Sequence, residues 1–223
     1  MKGKELKDGE LFESRFGFRE ARSNHTFYIV ILCLILALFA FRAVWTGMFS
    51  GVIVDGHSME KTLHDEEQLL MRNVKGGEGV NRGDVIVVYV GGYEEIKGKN
   101  SQTEYLIKRL IAIEGDRVRC TDGQVQIQYG GVGEWVDLYE PYAYYTNKEA
   151  YDFAEYVVDE GEIFFLGDNR NNSKDSRYQE KDASWLNDLY KKTDIVGVVP
   201  DWAITYKETL AKILFWNTAQ TAK

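Results

Sequence analysis

Asp84-Val85-Ile86-Val87-Val88-Tyr89-Val90 is the stretch on which the fold turns. It is too short for a core helix, rich in β-branched residues and apolar at odd and even positions alike. That pattern predicts a strand buried on both faces, opened by the turn Asn81-Arg82-Gly83. Working outward, Val52-Ile53-Val54 is a short apolar run and residues 67–74 alternate loosely. Residues 105–113 predict another strand. Residues 117–128 predict a hairpin around Thr121-Asp122-Gly123, because an Asp-Gly pair tolerates positive φ. Glu162-Ile163-Phe164-Phe165-Leu166 predicts a strand, and residues 195–199 and 203–206 are expected as closing strands. Between them lie a polar, glycine-bearing loop at 91–103 and an aromatic-rich, irregular stretch at 132–158. Residues 207–216 have the spacing of an amphipathic helix. No internal repeat is present, and the fold class is mainly β.

The chain has 223 residues, 44% of them hydrophobic and 13% aromatic, enough for one soluble domain of ordinary size with appendages. Its 21 glycines agree with many turns. Charge is uneven. Of 27 Lys/Arg and 35 Asp/Glu, residues 1–26 hold six and five, and Arg42 is one more basic group. Residues 46–223 therefore keep 20 basic and 30 acidic residues, a net charge of -10. Such a domain repels phosphate backbones, which argues against nucleic acid as a partner. The two cysteines are Cys33, in an apolar stretch, and Cys120, so no intrachain disulfide is expected.

Residues 27–41 (FYIVILCLILALFAF) are 15 uncharged, strongly apolar residues, and the apolar character resumes after Arg42. With the flanks, about 20 residues are available to span a bilayer. Arg42 can snorkel to the interface beside Trp45. A cleaved secretory signal would need small residues at the last and third-last positions before the cut. Ala37, Ala40 and Ala43 are spaced by three, which puts Leu38 or Phe41 where a small residue is required. An uncleaved membrane anchor is expected over 27–49, after a polar tail at 1–26. Lys2, Lys4, Lys7, Arg15, Arg19 and Arg22 precede it, which predicts a cytoplasmic N-terminus and an extracytoplasmic domain. That domain is expected over 50–206, followed by a C-terminal tail at 207–223.

Ser58, in Gly56-His57-Ser58-Met59-Glu60-Lys61-Thr62-Leu63, is presented by a small-residue turn. A serine hydroxyl attacks only when a base removes its proton. The three histidines are poorly placed. His25 precedes the anchor, His57 is adjacent to Ser58 and points to the opposite face of an extended segment, and His64 lies among acidic residues. His64-Asp65-Glu66-Glu67 lacks convincing zinc spacing, and neither a metal nor another cofactor is expected. Lys108, in Tyr105-Leu106-Ile107-Lys108-Arg109, follows two apolar residues. Burial would favour its neutral, basic form, as in Ser-Lys variants of the catalytic triad. The same residues would also suit exposed charges on a strand edge. A third motif, Gly167-Asp168-Asn169-Arg170-Asn171-Asn172-Ser173-Lys174-Asp175-Ser176-Arg177, predicts a polar turn that can buttress both.

These motifs, in this order and behind an anchor, resemble those of bacterial type I signal peptidases, especially the compact Gram-positive kind. Gly56-x-Ser58-Met59 with Thr62-Leu63, Arg82-Gly83-Asp84, Lys108-Arg109 with Gly115-Asp116, and the run from Gly167 to Arg177 carry the resemblance. It implies a signal-peptidase-like, β-rich catalytic domain with one N-terminal transmembrane helix. It also implies Ser58 as nucleophile, Lys108 as general base, Ser173 orienting Lys108, and Asp175 with Arg177 bracing the site. The Ser58 N–H would help form the oxyanion hole. Val54, Met59, Leu63, Leu106 and Ile107 would line shallow substrate pockets, or simply fill the core. Implied partners are membrane lipid and secretory pre-proteins with small residues at the cleavage site; the oligomeric state is left open. Lys61, Ala112 and Glu114 depart from the family, which has proline, glycine and proline there. These departures are expected to loosen turns. The expected function is removal of signal peptides at the membrane. The rivals are a specialised relative serving surface-appendage (pilus) assembly, as a narrow-range peptidase or chaperone, and a tethered binding module without chemistry.

Overall fold

The computed structural model describes residues 25–90, 105–149, 151–177 and 190–214. The expectations for the N-terminal tail, the 91–103 loop and the last residues of the chain lie outside these. Two units divide the chain, one ending at Val44 and the other beginning at Trp45.

Helix α1 is His25–Met48, 24 residues with no buried side chain and a mean hydropathy reaching 2.6. At about 1.5 Å per residue it is long enough to cross a hydrocarbon layer of about 30 Å. Length and composition thus fit a membrane span.

The second unit is built on two antiparallel sheets. The six-stranded sheet contains β1 (Phe49–Ile53), β2 (Gln68–Asn73), β3 (Val85–Tyr89), β4 (Tyr105–Ile113), β9 (Ile163–Leu166) and β10 (Ile195–Val199). Their spatial order is β1-β2-β10-β3-β4-β9. The four-stranded sheet contains β5 (Arg117–Thr121), β6 (Gln124–Gln128), β7 (Val136–Asp137) and β8 (Phe153–Val157), in the order β7-β6-β5-β8.

The continuous apolar reading of β3 has a physical cause. Val85 and Val87 enter one core with Val54, Met59, Leu63 and Val199, while Ile86 and Val88 enter another with Leu110, Phe165 and Ile195. Strand β9 does the same between cores: Ile163 and Phe165 join the second, and Phe164 and Leu166 join a third under the smaller sheet. The β5–β6 hairpin turns on Asp122 and Gly123, with φ of 51° and 69°, the left-handed conformations of a two-residue loop. Both cysteines are free thiols.

One expected element is different. Residues 203–206 do not form a strand; α2 is a helix at Asp201–Thr205, followed by α3 at Lys207–Leu214. Pro200 ends β10 and starts the helix, and Asp201 puts negative charge in its first turn. Ala203 is buried on the first core. The turn after β4 also forms without the family's proline. Asp116 N–H donates to the Ile113 carbonyl at 3.0 Å, and the Glu114 carboxylate accepts from Gly161 N–H at 2.9 Å. Ala112 is fully buried in the third core.

Candidate active site

The loop from β1 to β2 presents Ser58. Paired backbone bonds between Val54, Glu66 and Glu67 seal its base, and Gly56 N–H donates to Asp65 at 2.7 Å. Gly56 has φ of 92°, so a side chain there would be strained. Within the loop, Thr62 and Leu63 N–H both donate to the Met59 carbonyl. Met59 and Leu63 are buried in the core, which anchors the turn that follows the half-buried serine.

Lys108 enters from β4, where it pairs with Ile86 of β3. Its Nζ lies 2.7 Å from Ser58 Oγ and donates to the Ile107 carbonyl at 3.0 Å. The residue is 3% exposed. Burial pulls its ammonium from 10.5 down to about 8, against the opposing pull of Asp175 and Asp168. Lys108 is therefore buried and not an exposed strand-edge charge.

Neighbouring Arg109 is also buried, but it meets a carboxylate. Its Nε and Nη2 donate to Asp168 at 2.8 and 2.7 Å, and Nη1 donates to the Gly83 carbonyl at 2.7 Å. Burial lowers its pKa, yet Asp168 more than offsets this and the guanidinium is held above its ordinary value. Thr62 Oγ1 donates to the same Asp168 at 2.6 Å, which links the serine turn to β4.

The Gly-Asp-Asn loop closes the site from the other side. Asn169 N–H donates to the Ser58 carbonyl, and Asn169 Nδ2 to the His57 carbonyl, both at 3.0 Å. Asp175 accepts from Gly167 N–H at 3.1 Å and from Arg177 Nε at 2.9 Å, and Arg177 Nη2 donates to the Arg170 carbonyl. Ser173 is placed differently from expectation. Its hydroxyl is buried without a hydrogen-bond partner among the described residues and makes no bond to Lys108. It packs closely on Gly167, where a Cβ would overlap both Ser173 Oγ and the Ser58 carbonyl. The Ile107 carbonyl holds Lys108 instead.

Of the expected pocket residues, Val54, Met59 and Leu63 are core residues, whereas Leu106 and Ile107 are half-buried. His57 and His64 pair with Glu60 and Glu67, not with Ser58. Sequence reasoning missed the pillar behind the loop. Arg170 is fully buried and donates to both oxygens of Glu140 at 2.9 and 2.6 Å, to Tyr145 OH and to the Gly167 carbonyl. Tyr144 adds backbone bonds to Asp168 and Arg170. The Arg109–Asp168 pair did have a signal, because two cations in one apolar strand need a counter-charge. The Glu140 partnership had none.

Comparison with known proteins identifies the family. Residues 25–205 match the family described as signal peptidase, peptidase S26. A signal peptidase I from Bacillus licheniformis is 34% identical over 66% of this chain and 74% of its own length. A signal peptidase I P from Bacillus subtilis subsp. natto is 31% identical over 81% of this chain and 90% of its own. The crystal structure of an Enterococcus faecalis signal peptidase I is 26% identical, covers 55% of this chain and 98% of that one, and has a TM-score of 0.39. With its motifs in order behind an apolar helix, the chain belongs to the signal peptidase, peptidase S26, family.

Proposed function

We propose that this membrane-anchored serine peptidase removes signal peptides from secretory pre-proteins with Ser58 as nucleophile and Lys108 as general base. The observation that carries the roles is the 2.7 Å approach of a buried lysine amine to the serine hydroxyl. Neutral Lys108 takes the proton from Ser58 Oγ as the oxygen attacks the carbonyl carbon of the scissile bond. The tetrahedral oxyanion is stabilised by the Ser58 N–H. The Lys108 ammonium then returns the proton to the departing amine, leaving an ester on Ser58. Water, deprotonated by the same lysine, hydrolyses that ester and frees the enzyme.

Asp175 and Arg177 brace the loop that holds the Ser58 carbonyl. Leu106 and Ile107 offer apolar contact to small residues before the cleaved bond; Ile107 packs on the core that holds Val54, Met59 and Leu63, and Leu106 on the second core. The basic residues ahead of α1 favour an N-terminus in the cytoplasm, with residues 50–206 as the catalytic domain outside and lipid around the anchor. A role confined to pilus assembly is not favoured, since the family match and the relatives are signal peptidases.

The test is cleavage of a pre-protein with an Ala-x-Ala site by detergent-purified protein, beside Ser58→Ala and Lys108→Ala. Cleavage by the native chain alone is expected. Full activity in either variant would remove the mechanism.

A further inference from the structure

Lys61 stands three residues after Ser58, and its ammonium takes no part in the mechanism above. It is exposed, lies 4.6 Å from the centre of the Tyr144 ring, and has no carboxylate within ion-pair distance among the described residues. The adjacent Glu60 is engaged by His57 at 2.8 Å. In a domain of net charge -10, this leaves a positive centre seated on an aromatic face at the rim of the serine turn.

Ser58 Oγ faces Lys108 on β4, and β4 also carries Leu106 and Ile107, the apolar contacts suited to small residues before the cleaved bond. Lys61 and Tyr144 lie instead with the Gly-Asp-Asn loop. Tyr144 N–H donates to the Asp168 carbonyl at 2.7 Å, Arg170 N–H donates to the Tyr144 carbonyl at 2.9 Å, and Asn169 between them bonds the Ser58 carbonyl. On the peptidase reading, β4 takes the residues before the cleaved bond, which leaves this rim to the residues after it.

We propose that Lys61, seated on Tyr144 beside Ser58, selects substrates carrying an acidic side chain just after the cleaved bond. This rests on the peptidase reading above. An exposed charge pair gains little, so the preference is modest, about two- to fivefold in kcat/KM.

The test uses full-length protein in a zwitterionic detergent and matched pre-peptides with an Ala-x-Ala site followed by Glu or by Gln. Wild type is expected to cleave the Glu peptide about threefold better. Lys61→Gln should bring the ratio to one, and Lys61→Glu should invert it. The wild-type preference should fade in 1 M salt, where the screening length is about 3 Å. Taking the ratio within each variant cancels any loss of folded protein. The same ratio in all three proteins overturns the selector and leaves the peptidase intact. Cleavage of neither peptide by wild type sinks the peptidase reading and the selector with it.

Discussion

Lys108 and Arg109 are adjacent cations in one strand, 3% and 7% exposed, and they are buried to opposite ends. Arg109 finds a bidentate carboxylate in Asp168 and stays charged. Lys108 finds a hydroxyl and a carbonyl, and its ammonium is destabilised until its pKa falls to about 8. Burial with a counter-charge makes a strut; burial without direct contact to one makes a base.

The largest effect expected from this contrast is on activity. Ser58→Ala or Lys108→Met should lower kcat by on the order of 10⁴-fold or more, measured as single-turnover cleavage of a pre-protein. Arg109→Met should instead act on the fold. It strands Asp168 as a buried, unpaired carboxylate, at a cost of about 3–5 kcal/mol, read as a fall in the denaturant midpoint.

The same substitution one residue earlier should have the opposite sign. Below pH 8 the folded state must carry a buried ammonium at Lys108, so Lys108→Met should raise stability at pH 7, by on the order of 1–3 kcal/mol. The gain is full below the folded pKa of about 8, shrinks as pH rises, and is gone above the ordinary value of 10.5. Equal destabilisation by both Met variants would break the comparison.

A smaller effect sharpens it. Because the neutral amine is the active form, kcat/KM should rise with pH and level off above about 8. Asp175 favours the ammonium, so Asp175→Asn should move that limb toward acid pH. A shift toward alkaline pH would show that the loop acts on Lys108 by geometry alone.

Legibility followed the range of the interactions. β3 and the Asp122-Gly123 hairpin were readable because apolar parity and turn chemistry are local. The order of the strands was not, since β10 comes from the far end of the described chain to lie between β2 and β3. Residues 203–206 were misread because a short apolar run has no decisive period; Pro200 and the burial of Ala203 settle it as helix. Glu114 looked like a lost proline, and its carboxylate instead bonds across to Gly161.

Residue types and their order along the chain were enough to name an apolar anchor, a β-rich domain, and Ser58 and Lys108 as a pair worth testing. They also argued against the histidines as the base for the serine. The sequence could not say whether Lys108 was dry, that Ser173 would turn against Gly167, or that Glu140 would hold Arg170 behind the loop. Those depend on strands far apart in sequence excluding water from the same point. A lysine's basicity, like the need of a buried arginine for a partner, is set by the solvent it has lost, and only the tertiary structure decides that.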